Sequence, residues 1–163
     1  MRFKLLFLAL VLTFVLGWFS SYVYSNINFS SGDELPSFGT KPRPSPYDRV
    51  KESQIDILDD KVIINVPNVQ WSSYADTHSM EPVLRAGANG LELIPRSEYD
   101  IHVGDIVAYE SNLSDGLIVH RIIESGRDEQ GIYYLLKGDN NSSVDPGRVR
   151  FFDIKYVLIG VIY

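Results

Sequence analysis

The sequence from Ile55 to Tyr163 predicts a mainly β, antiparallel domain, a barrel or a sandwich. Three observations predict it. Short apolar runs recur along the chain, turn-forming residues separate nearly all of them, and no helix-period segment lies between them.

The elements follow in order. Ile55-Asp56-Ile57-Leu58 and Val62-Ile63-Ile64-Asn65-Val66 flank Asp59-Asp60-Lys61, a hairpin signature. Val69 to Ala75 reads as a third strand. Leu91-Glu92-Leu93-Ile94 and Asp105-Ile106-Val107-Ala108-Tyr109 follow. Leu117 to Ile123 is a mostly apolar strand, Gly131 to Leu136 another, and Tyr156 to Tyr163 the last. The one helical candidate is Met80–Arg85, where Pro82 is tolerable in a first turn.

Ahead of this domain the chain changes character. Arg2 and Lys4 precede an apolar run from Leu5 to Phe19, which Ser20-Ser21-Tyr22-Val23-Tyr24 continues, and no charge occurs from Leu5 through Gly32. Spanning a bilayer takes about 20 helical residues, so residues 5–24 are expected to cross lipid as one N-terminal transmembrane helix. Trp18, Phe19, Tyr22 and Tyr24 cluster at the distal end, where an aromatic belt meets the outer interface. Both positive charges at the start place residue 1 in the cytoplasm and the body outside the cell membrane, in a single pass. A cleaved signal peptide is the rival reading, since Val23-Tyr24-Ser25 is a weak cleavage site; the length and the aromatic end favour a retained anchor. Residues 26–54 read as a tether. Ser30-Ser31-Gly32 precedes Pro36, Gly39, Pro42, Pro44 and Pro46, and Lys41–Pro46 should be an extended, polyproline-like spacer. The expected organisation is an anchor at 1–25, a tether at 26–54 and a β-rich domain at 55–163.

Charge and composition exclude several functions. The net charge is −6 over 163 residues, and Arg2 and Lys4 give residues 1–25 a charge of +2, so the body carries −8. An acidic body argues against nucleic acid as a partner, because phosphate binding needs a basic face. The absence of cysteine removes disulfides, thiolate nucleophiles and zinc–thiolate sites. His78, His102 and His120 lack the helical i, i+4 spacing of metal ligands. No cofactor is expected.

Three patches carry chemistry. Ser79-Met80-Glu81-Pro82 offers a hydroxyl nucleophile, Val119-His120-Arg121 an imidazole base, and Lys137-Gly138-Asp139-Asn140-Asn141 with Asp145 a carboxylate to orient the base. Acyl transfer needs those three groups together. Each has a structural reading as well. Ser79 follows a strand where a turn of helix begins, and serves equally as its N-cap. His120 shares a strand face with Ile118 and Ile122, where a histidine is commonly a satisfied core residue. Gly138–Asn141 is also turn chemistry. Competing bases are weaker. His78 adjoins Ser79 and points away from it in extended chain, His102 lies in a turn where solvation is expected, and Lys137 would need a strongly depressed pKa. The residues alone leave Asp139 and Asp145 both open.

Taken in order, the patches resemble type I signal peptidase, in its archaeal and endoplasmic-reticulum branch. Ser79-Met80-Glu81-Pro82 is similar to that family's nucleophile box and Gly104-Asp105-Ile106-Val107 to the strand motif after it. Val119-His120-Arg121-Ile122 carries histidine where the bacterial branch has lysine. Gly138-Asp139-Asn140-Asn141 with Asp145 matches the last box. The resemblance covers Thr77 to the C-terminus. It implies a β-rich, partly barrel-like catalytic domain at the membrane surface. It implies Ser79 as nucleophile, His120 as general base, Asp145 as the favoured orienting acid and Asp139 in a supporting role. Thr77 and the Ser79 N–H form the implied oxyanion hole. The implied substrates are secretory preproteins cut after small residues, with the secretion machinery as a further partner. Two alternatives stand beside this: a self-cleaving peptidase on a similar fold, and a non-catalytic membrane-tethered module.

Overall fold

Eight antiparallel strands build the domain, and most arise where a β-branched or aromatic-rich run meets turn residues, while β4 is carried by the alternation of Leu91 and Leu93. They are β1 (Ile55–Ile57), β2 (Val62–Ile64), β3 (Val69–Ser73), β4 (Asn89–Leu93), β5 (Ile106–Glu110), β6 (Leu117–Asp128), β7 (Gly131–Lys137) and β8 (Ile154–Ile162). The structure is a computed structural model that describes residues 11–19, 43–112 and 114–163. All eight expected strands are present. β6 runs further than its apolar stretch, through Glu124 to Asp128, because β7 pairs with it along that length.

β1 and β2 form a separate two-stranded sheet, while the other six are ordered β3-β4-β8-β5-β6-β7. The edge strands β3 and β7 do not pair with each other, so the sheet stays open rather than closing into the expected partial barrel. The free edge of β7 is covered instead by the segment after it. Tyr134 and Val149 exchange backbone hydrogen bonds of 2.9 and 3.0 Å, and Asp145 N–H donates to Leu136 O at 2.8 Å. Covering an edge in this way satisfies its backbone groups without closure.

Strand alternation puts side chains on both faces of the sheet, and each face has its own core. Val107, Tyr109, Ile122, Tyr134, Leu136 and Val157 pack on one face. Ile106, Leu158, Met80 and Leu84 pack on the other. Burying a side chain such as Val107 or Ile122 completely stabilises the fold by about 1.5–3 kcal/mol.

The Met80–Arg85 segment is not a helix. Leu84 N–H bonds Met80 O at 2.9 Å, and this one turn is not continued. Met80 and Leu84 anchor it by entering the core, so tertiary packing rather than helix propagation fixes the turn.

Residues 43–54 differ from the expected tether as well. Pro42–Tyr163 is one compact unit and Met1–Lys41 another. Tyr47 N–H donates to Asp105 Oδ1 at 3.0 Å and Arg49 donates to Asp105 Oδ2, while Asp105 is fully buried. The Tyr47 ring stacks on His102 with centroids 4.1 Å apart, so His102 is a packing partner rather than a freely solvated side chain. Gly104 has φ +104°, and a Cβ there would lie 1.9 Å from Ser45 O, so the strap demands glycine at this position. Local composition signalled stiffness here, but the anchoring carboxylate is 56 residues away in sequence.

In the N-terminal unit residues 11–19 are helical, with Leu12, Phe14 and Trp18 exposed. Among the described residues no helix is long and apolar enough to cross a membrane. The rest of the expected span, 5–10 and 20–24, and the tether from 26 to 42 lie outside the described residues.

Candidate active site

The β5–β6 register sets which groups meet. Val107 pairs with His120, and Tyr109 with Ile118, while Ile106 pairs with Arg121. Directly paired residues share a face, so Val107, Tyr109, Ile118 and His120 lie on one side of the sheet and Ile106 and Arg121 on the other. Adjacent residues of one strand therefore send an imidazole and a guanidinium in opposite directions.

Each meets a different aspartate of the loop after β7. His120 Nδ1 lies 2.6 Å from Asp145 Oδ2. That same oxygen accepts a hydrogen bond from the Tyr109 hydroxyl at 2.9 Å. Arg121 forms a two-pronged pair with Asp139, Nε to Oδ1 at 2.8 Å and Nη2 to Oδ2 at 2.7 Å. Its Nη1 donates to Gly104 O at 2.9 Å and to Pro44 O at 3.3 Å. Arg43 reaches the same loop, donating to the Asp139 backbone carbonyl at 2.6 Å.

Ser79 sits on the anchored turn. Its Oγ is 3.1 Å from Thr77 Oγ1, and in this structure it bonds that hydroxyl rather than His120. Its carbonyl accepts from Asn140 N–H at 2.8 Å, and Asn140 Nδ2 donates to His78 O at 3.0 Å. The Ser79 turn and the Asp139 loop are thus tied directly. Gly138 permits this, because a Cβ there would come within 2.6 Å of Ser79 O.

Thr77, Ser79 and His120 all line one cleft of about 370 Å³, whose apolar walls come from Tyr74, Met80, Leu84, Leu117, Ile118 and Val119. Polar and apolar side chains thus line the same cleft. Among the described residues no cluster of three or more potential metal ligands occurs.

Burial and then the bond to Asp145 push the Tyr109 phenol well above its ordinary pKa, so it is a fixed donor. Tyr74 is raised too, by burial first and then by Glu92, which accepts its hydroxyl at 2.8 Å. His78 is exposed and does not face Ser79. Its ring bonds Glu81 at 2.9 Å with Asp76 at 3.4 Å, and these two carboxylates, Glu81 foremost, raise its pKa.

Sequence reasoning missed Tyr109, Arg49 and Arg43. A signal existed for the first: a tyrosine hydroxyl in an otherwise apolar strand needs a buried partner.

Comparisons with known proteins fit the motifs. No protein-family model matches the chain, and no solved structure matches it. Among curated proteins, the signal peptidase complex catalytic subunit SEC11 of Eremothecium gossypii is 41% identical over 68 residues, 41% of this chain and 40% of that protein. The SEC11 of Yarrowia lipolytica is 31% identical over 88 residues, 52% of this chain and 50% of that protein. The SEC11 of Plasmodium falciparum is 46% identical over 48 residues, 29% of this chain and 26% of that protein. The chain therefore spans half or less of the length of these curated relatives. The resemblance to type I signal peptidases of the endoplasmic-reticulum and archaeal branch, first carried by the order of the motifs, is borne out by these relatives, each named as a signal peptidase complex catalytic subunit.

Proposed function

We propose that the protein is a membrane-bound serine endopeptidase that removes signal peptides from secretory preproteins, cutting after small residues. The observation that carries the reading is the His120–Asp145 contact of 2.6 Å, with His120 and Ser79 lining one cleft. Asp145 holds the Nδ1–H of His120, which leaves Nε2 as the basic nitrogen. His120 takes the Ser79 proton as the hydroxyl attacks the scissile carbonyl, then returns it to the leaving amine. The Thr77 hydroxyl and the Ser79 N–H are the oxyanion donors in this scheme. For that, Ser79 Oγ exchanges its Thr77 partner for His120 when substrate enters, a tightening common between free and substrate-bound sites. Asp139 supports the site through Arg121 and the loop backbone.

The apolar segment at residues 5–24 supports anchoring as a single-pass helix in the lipid bilayer, with the catalytic domain outside the cytoplasm. The relatives named as subunits of a signal peptidase complex support the secretion machinery as a partner of this chain.

The test is cleavage of a model preprotein by the full chain in detergent or lipid, with Ser79→Ala and His120→Ala alongside. Wild type cuts after a small residue, and both variants lose at least about a thousandfold while remaining folded. Retained cleavage by purified Ser79→Ala would falsify the nucleophile assignment. A wild type that cuts itself but no separate preprotein would point to the self-cleaving alternative.

A further inference from the structure

We infer that Tyr109 is a positioning residue for the proposed reaction, fixing Asp145 so that this carboxylate holds His120 in one orientation and one tautomer. The inference rests on the peptidase reading and adds a member to its site.

Asp145 Oδ2 accepts two hydrogen bonds, from Tyr109 Oη at 2.9 Å and His120 Nδ1 at 2.6 Å. An aspartate on a surface loop has free χ1 and χ2 rotations, and a single imidazole partner that must itself move protons is a poor restraint on them. Tyr109 is a better one. It is 2% exposed and packed in the core among Ile122, Tyr134 and Leu136, so its hydroxyl cannot wander. It stands on β5 diagonally from His120 on the same face, which fixes the distance between the two donors by strand register. The third restraint is the loop backbone, through Asp145 N–H to Leu136 O at 2.8 Å. Donor, carboxylate and imidazole are thus all referred to β5, β6 and β7.

A second consequence is electrostatic. The Tyr109 hydroxyl and His120 Nδ1 converge on one carboxylate oxygen, so the hydroxyl shares the negative charge of Oδ2. Asp145 is the carboxylate against His120. Arg121 points to the opposite face, where Asp139 pairs with it, and Ser79 and Thr77 across the cleft carry no charge. Removing the Tyr109 hydroxyl therefore leaves Asp145 Oδ2 with one restraint fewer beside His120.

Tyr109→Phe in the full chain is the direct test, since it keeps the ring and deletes one oxygen. We expect kcat on a model preprotein to fall about fivefold to tenfold with KM unchanged. Added to Asp145→Asn, the same change should cost almost nothing further, because the two act through one contact. A kcat equal to wild type, even with a lowered melting temperature, overturns the inference and leaves a merely structural tyrosine. Should Tyr109→Phe fail to fold, the wild-type Tyr109 Cζ shift is followed by NMR through the His120 titration. A step in that shift at the His120 midpoint supports the shared carboxylate; a flat trace overturns it. Inactivity of wild type, or activity of Ser79→Ala, would sink the peptidase reading itself, whereas the NMR result bears on Tyr109 alone.

Discussion

Asp139 and Asp145 leave the same loop, yet the partners they meet are of opposite kinds. Asp139 is 2% exposed at its side chain and holds Arg121, a guanidinium that never gives up its charge. Asp145 is 12% exposed at its side chain and holds the imidazole of His120, and a tyrosine hydroxyl shares the load. The first pair is an anchor: it is two-pronged, dry, and tied to the strap through Arg43 and Pro44. The second holds an imidazole, and His120 opens on a cleft. A strand and a loop thus place a guanidinium–carboxylate pair and an imidazole–carboxylate pair on opposite faces of the same sheet. Sequence proximity of two carboxylates says nothing about which chemistry each will serve.

Substituting the two aspartates breaks the comparison most sharply. Asp145→Asn should lower cleavage by about a thousandfold or more while the protein stays folded, because an amide orients the wrong tautomer of His120. Asp139→Asn should act on stability instead. It strands a buried guanidinium without its anion and costs about 3 kcal/mol, read from urea unfolding. Equal effects of the two changes on both activity and stability would erase the distinction.

A smaller effect sharpens it from outside. His78 also touches carboxylates, but in solvent, and Glu81 and then Asp76 raise its pKa above the ordinary value. A group whose folded pKa is raised stabilises the fold fully below its unfolded pKa, near 6.5. That contribution disappears as pH climbs through the raised folded value. Its C2 proton should therefore titrate above 6.5 by NMR, with Glu81→Gln bringing the midpoint down. Titration at or below 6.5 in the wild type would mean that the Glu81 contact is absent in solution. Because His78 lies outside the His120–Asp145 pair, Glu81→Gln should leave cleavage nearly unchanged.

The strands were legible because alternation and turn residues are local signals. Leu117-Ile118-Val119 and Val62-Ile63-Ile64 could hardly be anything else between their turns. The turn at Met80 was misread as helix because its cause is the burial of Met80 and Leu84 against a distant strand. The strap was misread as spacer because its cause is Asp105, a carboxylate buried far along the chain. At the candidate site the residue types and their order could be read, and with them the strand face that His120 shares with Ile118 and Ile122.

By itself, then, the sequence determined the strand set, the side-chain faces and the inventory of reactive groups. All of these follow from period-two alternation and the chemistry of single residues. Tertiary structure decided the open rather than closed sheet, the strap on Asp105, the pairing of Asp145 with His120 and Asp139 with Arg121, and the entry of Tyr109 into the site. Each of those depends on how strands with no mutual sequence signal come into register. A shift of one residue in any of them would turn every one of its side chains to the other face.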